Sequence, residues 1–183
     1  MAWRNTTEKW GGVAKTLHWL LAVLIVTMLA IGFYAADIVG LRSPEGFQWI
    51  QRHKSLGILV LALVLVRLVW RWQNVAPPIP THVKPWERGA GKAAHVLLYV
   101  LMLAMPVTGW LLVSTSSSGL KTEVFGLFTL PHLMGPNKAL HEAFETAHGL
   151  MGYALAGIIL VHVAAALKHH FVYRDDVLKR MLP

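Results

Sequence analysis

Residues 147–167 read AHGLMGYALAGIILVHVAAAL, an apolar run with no Asp, Glu, Lys or Arg and a histidine toward each end. Such a run matches the ~20 residues that a helix needs to cross the hydrocarbon core of a bilayer. Ionisable side chains inside a membrane helix are costly and face a bundle interior or a functional site, so the histidines carry the information. His148 and His162 are fourteen residues apart. At ~1.5 Å and ~100° per residue, that spacing puts them ~21 Å apart along the axis and within ~40° of one face. They can serve two stacked sites, one near each membrane surface.

Three more runs of this kind precede it. Residues 16–36 and 93–113 are long enough as they stand, and 55–70 reaches crossing length once it is extended over a polar margin to about 50–72. The expected architecture is all-α: one integral membrane four-helix bundle over 1–183, with helices at about 16–36, 50–72, 93–113 and 147–168. Of the 183 residues, 55% are hydrophobic and only 14% charged, which excludes an ordinary soluble domain. The absence of cysteine removes disulfides, iron–sulfur clusters, thiolate metal sites and the C-x-x-C-H attachment of a covalently bound haem.

The formal charge of +8 sorts by side and forms no stripe interleaved with aromatics, so nucleic acid is not an expected partner. Three basic residues precede the first run, four lie between runs two and three with Arg67 just inside the inner end of run two, and four follow the fourth, twelve against five in the other two loops. The positive-inside rule then puts both termini in the cytoplasm, N-in and C-in. Trp19, Trp70, Trp72 and Trp86 fall near the inner boundary, and Trp49 and Trp110 near the outer one. Residues 74–86 form a proline-rich connector, and residues 114–146 a long outer loop that opens on Ser-Thr-Ser-Ser-Ser-Gly. Past Pro136 and Asn137, a helix entry, residues 138–147 extend the fourth helix outward. The first run follows a basic leader but exceeds a typical signal-peptide core, so it is expected to be retained.

Depth selects partners for the two histidines. His18 starts a helix leaving the inner side and lies level with His162; His53 starts a helix returning from the outer side and lies level with His148. Two imidazoles facing each other across a bundle suit a six-coordinate haem iron. One turn beyond His18, His53, His148 and His162 stand Ala22, Gly57, Gly152 and Ala166, which leave room for a flat group, whereas large or polar residues or proline follow the other six histidines. Small residues also promote bare helix packing. Zinc needs three or four ligands converging on one point, not pairs a helix-length apart. His95, in the third run at inner depth, is a rival to His18 or a partner for a haem propionate. His82, His132, His141, His169 and His170 read as loop or interface residues. Arg67, fourteen residues after His53, is a candidate propionate contact, with a snorkelling anchor as the competing reading. Arg52 and Lys54 flank His53, either to draw an anion or as a solvated loop end.

Several segments also resemble the bacterial cytochrome b-561 family: Thr-Leu-His-Trp-Leu at 16–20, His-Lys-Ser-Leu-Gly-Ile at 53–58 running to Val66-Arg67-Leu68, His162 through His169-His170-Phe171, then Arg174-Asp175 and Arg-Met-Leu-Pro at 180–183. The resemblance covers nearly the whole chain. It implies a four-helix protein of the bacterial inner membrane, with two non-covalent haem b groups, exchanging electrons with ubiquinone. Carried over by position, the axial ligands are His18, His53, His148 and His162. His141-Glu142 also resembles a His-Glu pair of relatives, which makes His141 the rival to His148; the fourteen-residue spacing and Gly152 favour His148.

The resulting expectation is an oxidoreductase that carries electrons from a donor at the periplasmic face to membrane ubiquinone, with superoxide the donor that the resemblance suggests. One alternative is an anchor and electron conduit for a hydrogenase- or formate-dehydrogenase-like redox partner protein. Another is a histidine-relay proton or metal-ion transporter, for which Asp37, Glu142 and Glu145 lie only at loop edges. No catalytic acid, base or nucleophile stands out.

Overall fold

The computed structural model describes residues 2–41 and 43–182, which leaves Arg42 and the terminal Pro183 of the Arg-Met-Leu-Pro ending outside the described residues. Four long helices run alternately up and down: α1 (Gly12–Phe33), α2 (Pro44–Gln73), α3 (Pro85–Thr115) and α4 (Lys138–Lys168). Wider π-helical turns prolong α1 over Tyr34–Val39 and α4 over His169–Tyr173. All four are long and apolar enough to cross a membrane.

The helices overrun their apolar stretches, and α2 and α4 do so from N-termini capped by a polar side chain. The Ser43 hydroxyl accepts from the Gly46 amide with Pro44 in the first turn, Pro85 opens α3, and Asn137 Oδ1 accepts from the Leu140 amide at the start of α4. Such caps satisfy amides that a helix N-terminus leaves unpaired. The apolar pattern therefore marks the lipid-crossing part and not the helix end. Gly11, just before α1, packs so tightly on the Arg4 backbone that any side chain there would collide.

The loop between α3 and α4 holds a feature that the all-α expectation lacked, an antiparallel hairpin of β1 (Thr122–Val124) and β2 (Phe128–Leu130), with Thr122 opposite Leu130. At its tip Phe125 and Gly126 have positive φ. Ser55 on α2 pins it: its hydroxyl donates to the Glu123 carbonyl at 2.9 Å and accepts from the Phe125 amide at 3.1 Å.

Close packing joins α1 to α2, α2 to α3 and α3 to α4. The buried centre is Leu21, Ile25, Val60, Val64, Leu101 and Leu155. Large apolar side chains such as Val23, Val66, Val100 and Leu160 point outward, as they do when lipid is the solvent. At the end that carries both termini, residues 174–182 form a clasp. Trp19 Nε1 donates to the Met181 carbonyl, Arg180 to the Pro78 carbonyl, and Lys168 and Tyr173 both donate to Glu87.

Candidate functional site

Two pairs of imidazoles meet inside the bundle, one above the other. Toward the β-hairpin end, His53 of α2 faces His148 of α4 with ring centres 6.1 Å apart; toward the terminal end, His18 of α1 faces His162 of α4 at 6.2 Å. Two imidazoles bound end-on to one ion at about 2 Å each, with about 1 Å from nitrogen to ring centre, have centres about 6 Å apart. Both pairs therefore stand at the separation of opposed ligands of a single metal ion. Among the described residues no three His, Cys, Asp or Glu converge on one point.

The hairpin-end pair is shaped by residues that the sequence alone does not single out. A Cβ at Gly32 would stand 3.2 Å from His53 Cε1, and one at Gly109 3.2 Å from His148 Cε1. Glycine at both places gives the rings their space. Thr108 Oγ1 lies 3.1 Å from His148 Nδ1 while its own proton points to the Ala104 and Met105 carbonyls, each 2.9 Å away. With its proton committed there, the hydroxyl accepts from His148 Nδ1–H, which leaves the Nε2 lone pair free for a metal. His53 Nδ1 is buried without a partner. A hydroxyl beside a glycine in the middle of a membrane run was the signal available for Thr108.

The terminal-end pair is more crowded. His95 of α3 also approaches His162, with ring centres 5.4 Å apart, closer than opposed ligands of one ion stand. Arg67 Nη2 donates to His18 Nδ1 at 3.1 Å and Arg67 Nε to the Tyr99 hydroxyl at 3.0 Å, while Nη1 is buried with no partner. An unpaired buried guanidinium N–H is an open place for an anionic oxygen. The small residues expected to clear room one turn past the histidines do something else at two of the four positions: Gly57 and Gly152 receive the methyl ends of Met28 and Met105 from neighbouring helices.

The remaining histidines are engaged elsewhere. His141 Nδ1 lies 3.0 Å from the Leu112 carbonyl, and His132 Nε2 3.2 Å from that of Leu120. His82 and His169 share Asp175 Oδ2 at 3.1 and 2.6 Å, and the His170 ring packs on Phe171. Burial opposes the charge on Asp175, but hydrogen bonds from His169, the Val177 amide and His82 outweigh it and hold the carboxyl below its usual range. A cleft of about 460 Å³ lies between α2 and the β-hairpin, lined by Gln51, Arg52, Ser55 and Phe125 among others. None of the four paired histidines lines it, so ring geometry and not void volume identifies the site. Arg52 at its edge stacks over Trp49 at 4.6 Å. Lys54 follows next to His53.

Comparison with known proteins finds relatives over nearly the whole chain. The sequence model of the family described as prokaryotic cytochrome b561 matches residues 9–183. Cytochrome b561 homolog 2 of Escherichia coli is 33% identical over all of this chain and 95% of its own length. The Yersinia pestis protein named "Probable superoxide oxidase CybB" is 31% identical, over 96% of this chain and 97% of its own. Cytochrome b562 of Cereibacter sphaeroides is 28% identical over 91% and 90%.

Proposed function

Because the chain belongs to the prokaryotic cytochrome b561 family, haem-binding electron-transfer proteins of bacterial membranes, we propose that it is a di-haem b-type cytochrome of the inner membrane that passes electrons from a small periplasmic donor to ubiquinone. The observation that carries this reading is the pair of stacked imidazole couples, each with the ring separation of opposed ligands of one ion. His53 with His148 and His18 with His162 would hold the two haem irons. The iron supplies reversible one-electron chemistry, which no side chain of this chain offers.

The protein's own part is to hold and tune. Thr108 orients His148 through its Nδ1–H, the usual way that an outer hydrogen bond sets a ligating histidine. A histidine that binds metal through Nε2 keeps its proton on Nδ1, so Arg67 would give up that contact if His18 held a haem iron. Its guanidinium, with Nη1 already unpaired, would then be free to hold a haem carboxylate.

The excess of basic residues at the terminal end supports an N-in, C-in orientation, which makes the β-hairpin end periplasmic. There Arg52 and Lys54 stand on α2 next to His53, and two cations beside an electron-entry point favour an anionic donor. The Yersinia relative's name points to superoxide. Two superoxide anions oxidised to dioxygen release two electrons, which with two protons reduce one ubiquinone to ubiquinol.

The test is haem quantification and an optical spectrum of the purified chain, followed by superoxide-driven ubiquinone reduction with no added protein. Two haem b per chain and turnover by the chain alone are expected. A colourless protein ends the redox reading, and turnover only with a stoichiometric partner subunit makes the chain an anchor and conduit.

A further inference from the structure

The helices repeat in register. His18, Met28 and Gly32 of α1 recur 77 residues on as His95, Met105 and Gly109 of α3; His53 and Gly57 of α2 recur 95 residues on as His148 and Gly152 of α4, where Arg67 corresponds to His162. The contacts repeat as well. A β-carbon on Gly32 would meet His53 as one on Gly109 would meet His148, each at 3.2 Å, and one on Gly57 would meet Met28 as one on Gly152 would meet Met105, at 3.5 and 3.8 Å. Arg67 meets His18 as His162 meets His95. Side-chain spacing and side-chain contact agree independently.

We propose that the bundle is a duplicated helical hairpin with a quasi-two-fold axis along the helices, and that the Arg67–Tyr99 pair closes one of the two equivalent half-sites this creates, confining the inner group to His18 and His162. The inference rests on the haem reading above. Exchange of the hairpins turns the couple His53–His148 into itself, so the axis passes between these rings and that site is single. At the terminal-end level, exchange turns His18–His162 into His95–Arg67, so two half-sites exist there and only one has two imidazoles.

Two departures from the repeat fall on the same seam, and they touch. Arg67 stands where the repeat has His162, Tyr99 stands where it has Ala22, and Arg67 Nε donates to the Tyr99 hydroxyl at 3.0 Å. They bridge α2 and α3, which pack closely. At the corresponding positions α1 and α4 carry Ala22 and His162, which cannot make such a bridge. Arg67 and Tyr99 are thus positioning residues: they decide which of His18 and His95 opposes a second imidazole.

Two sets of variants of the full chain test this by haem count and low-temperature electron paramagnetic resonance. In the otherwise native chain, Arg67→His with Tyr99→Ala is expected to split the inner haem into two low-spin species without altering the outer one, and His95→Ala added to that background should remove the new species. One unsplit inner signal, indifferent to His95→Ala, overturns the proposal. In the second set, His18→Ala is expected to lower the count from two haems to one, and addition of Arg67→His and Tyr99→Ala to restore the second. A count that stays at one with the outer haem intact overturns the proposal and leaves the ligand assignment standing. A count of two in His18→Ala alone overturns the inner ligand assignment itself.

Discussion

Thr108 Oγ1 lies 3.1 Å from His148 Nδ1, with the Thr108 proton already committed to the carbonyls one turn back on α3. The hydroxyl can then only accept, which fixes the imidazole tautomer and ring angle together. Replacement by valine keeps the volume and removes the acceptor. Thr108→Val is expected to weaken retention of the outer haem about 10- to 100-fold, the usual cost of losing an outer partner of a ligating histidine. Haem transfer to apomyoglobin measures it, with the inner haem as the internal reference.

Gly32 and Gly109 make a second, steric prediction. A methyl group at either would press on Cε1 of a paired histidine from 3.2 Å. Alanine there should lower occupancy or broaden the signals of the outer haem only. At Gly89, on the same helix as Gly109, a β-carbon meets nothing within 4 Å, so Gly89→Ala should leave both haems unchanged and raise helix stability by about 1 kcal/mol at most. Equal effects at all three positions would contradict the steric account.

Arg67 keeps a positive charge beside the inner pair, whether its guanidinium meets His18, as here, or a haem carboxylate. A nearby cation favours the reduced, less positive iron centre, so its removal makes reduction harder. Arg67→Gln should lower the inner midpoint potential by tens of millivolts, at about 59 mV for each tenfold change of a one-electron equilibrium, and leave the outer potential in place. Redox titration followed optically resolves the two. A rise in the inner potential would reverse the assigned direction.

Asp175 predicts a pH dependence. Its carboxyl is held below the usual range in the folded chain by His169, the Val177 amide and His82, so the folded state keeps the charge that an unfolded chain gives up near pH 4. The stabilisation is fully present above that unfolded value and disappears as pH falls through the lower folded one. The gap in thermal midpoint between the parent protein and Asp175→Asn in detergent should therefore be present at neutral pH and close as the pH falls below about 4. A gap that persists once the carboxylate is protonated would contradict it.

The same clasp explains part of the terminal signature. Asp175 ties His169 to the inner connector through His82, Arg180 reaches the Pro78 carbonyl, and the Met181 carbonyl takes the Trp19 indole N–H. A polar C-terminal segment is thus structural cement for the end at which α1, the connector and α4 meet. From sequence it read only as a family signature.

Much of the framework was legible in one dimension. Apolar runs of crossing length set the number of helices, and up-down alternation with His148 and His162 fourteen residues apart set the two levels, because helix rise and bilayer thickness are constants of the backbone and the solvent. The Pro136-Asn137 entry did mark the start of α4, but other helix ends were not legible, since a cap such as Ser43 extends a helix into polar sequence with no change in the apolar pattern. Neither were Gly32, Gly109 and Thr108, whose meaning lies in what stands opposite them on another helix. The order of residues was enough for the number of crossings and the depth of each imidazole. Packing in three dimensions settled the rest: His162 has both His18 and His95 within reach, Arg67 bridges His18 and Tyr99, and a short β-hairpin covers α2. Depth follows from position along one helix, whereas azimuth and neighbour follow from how four helices pack, and that depends on side chains far apart in the chain.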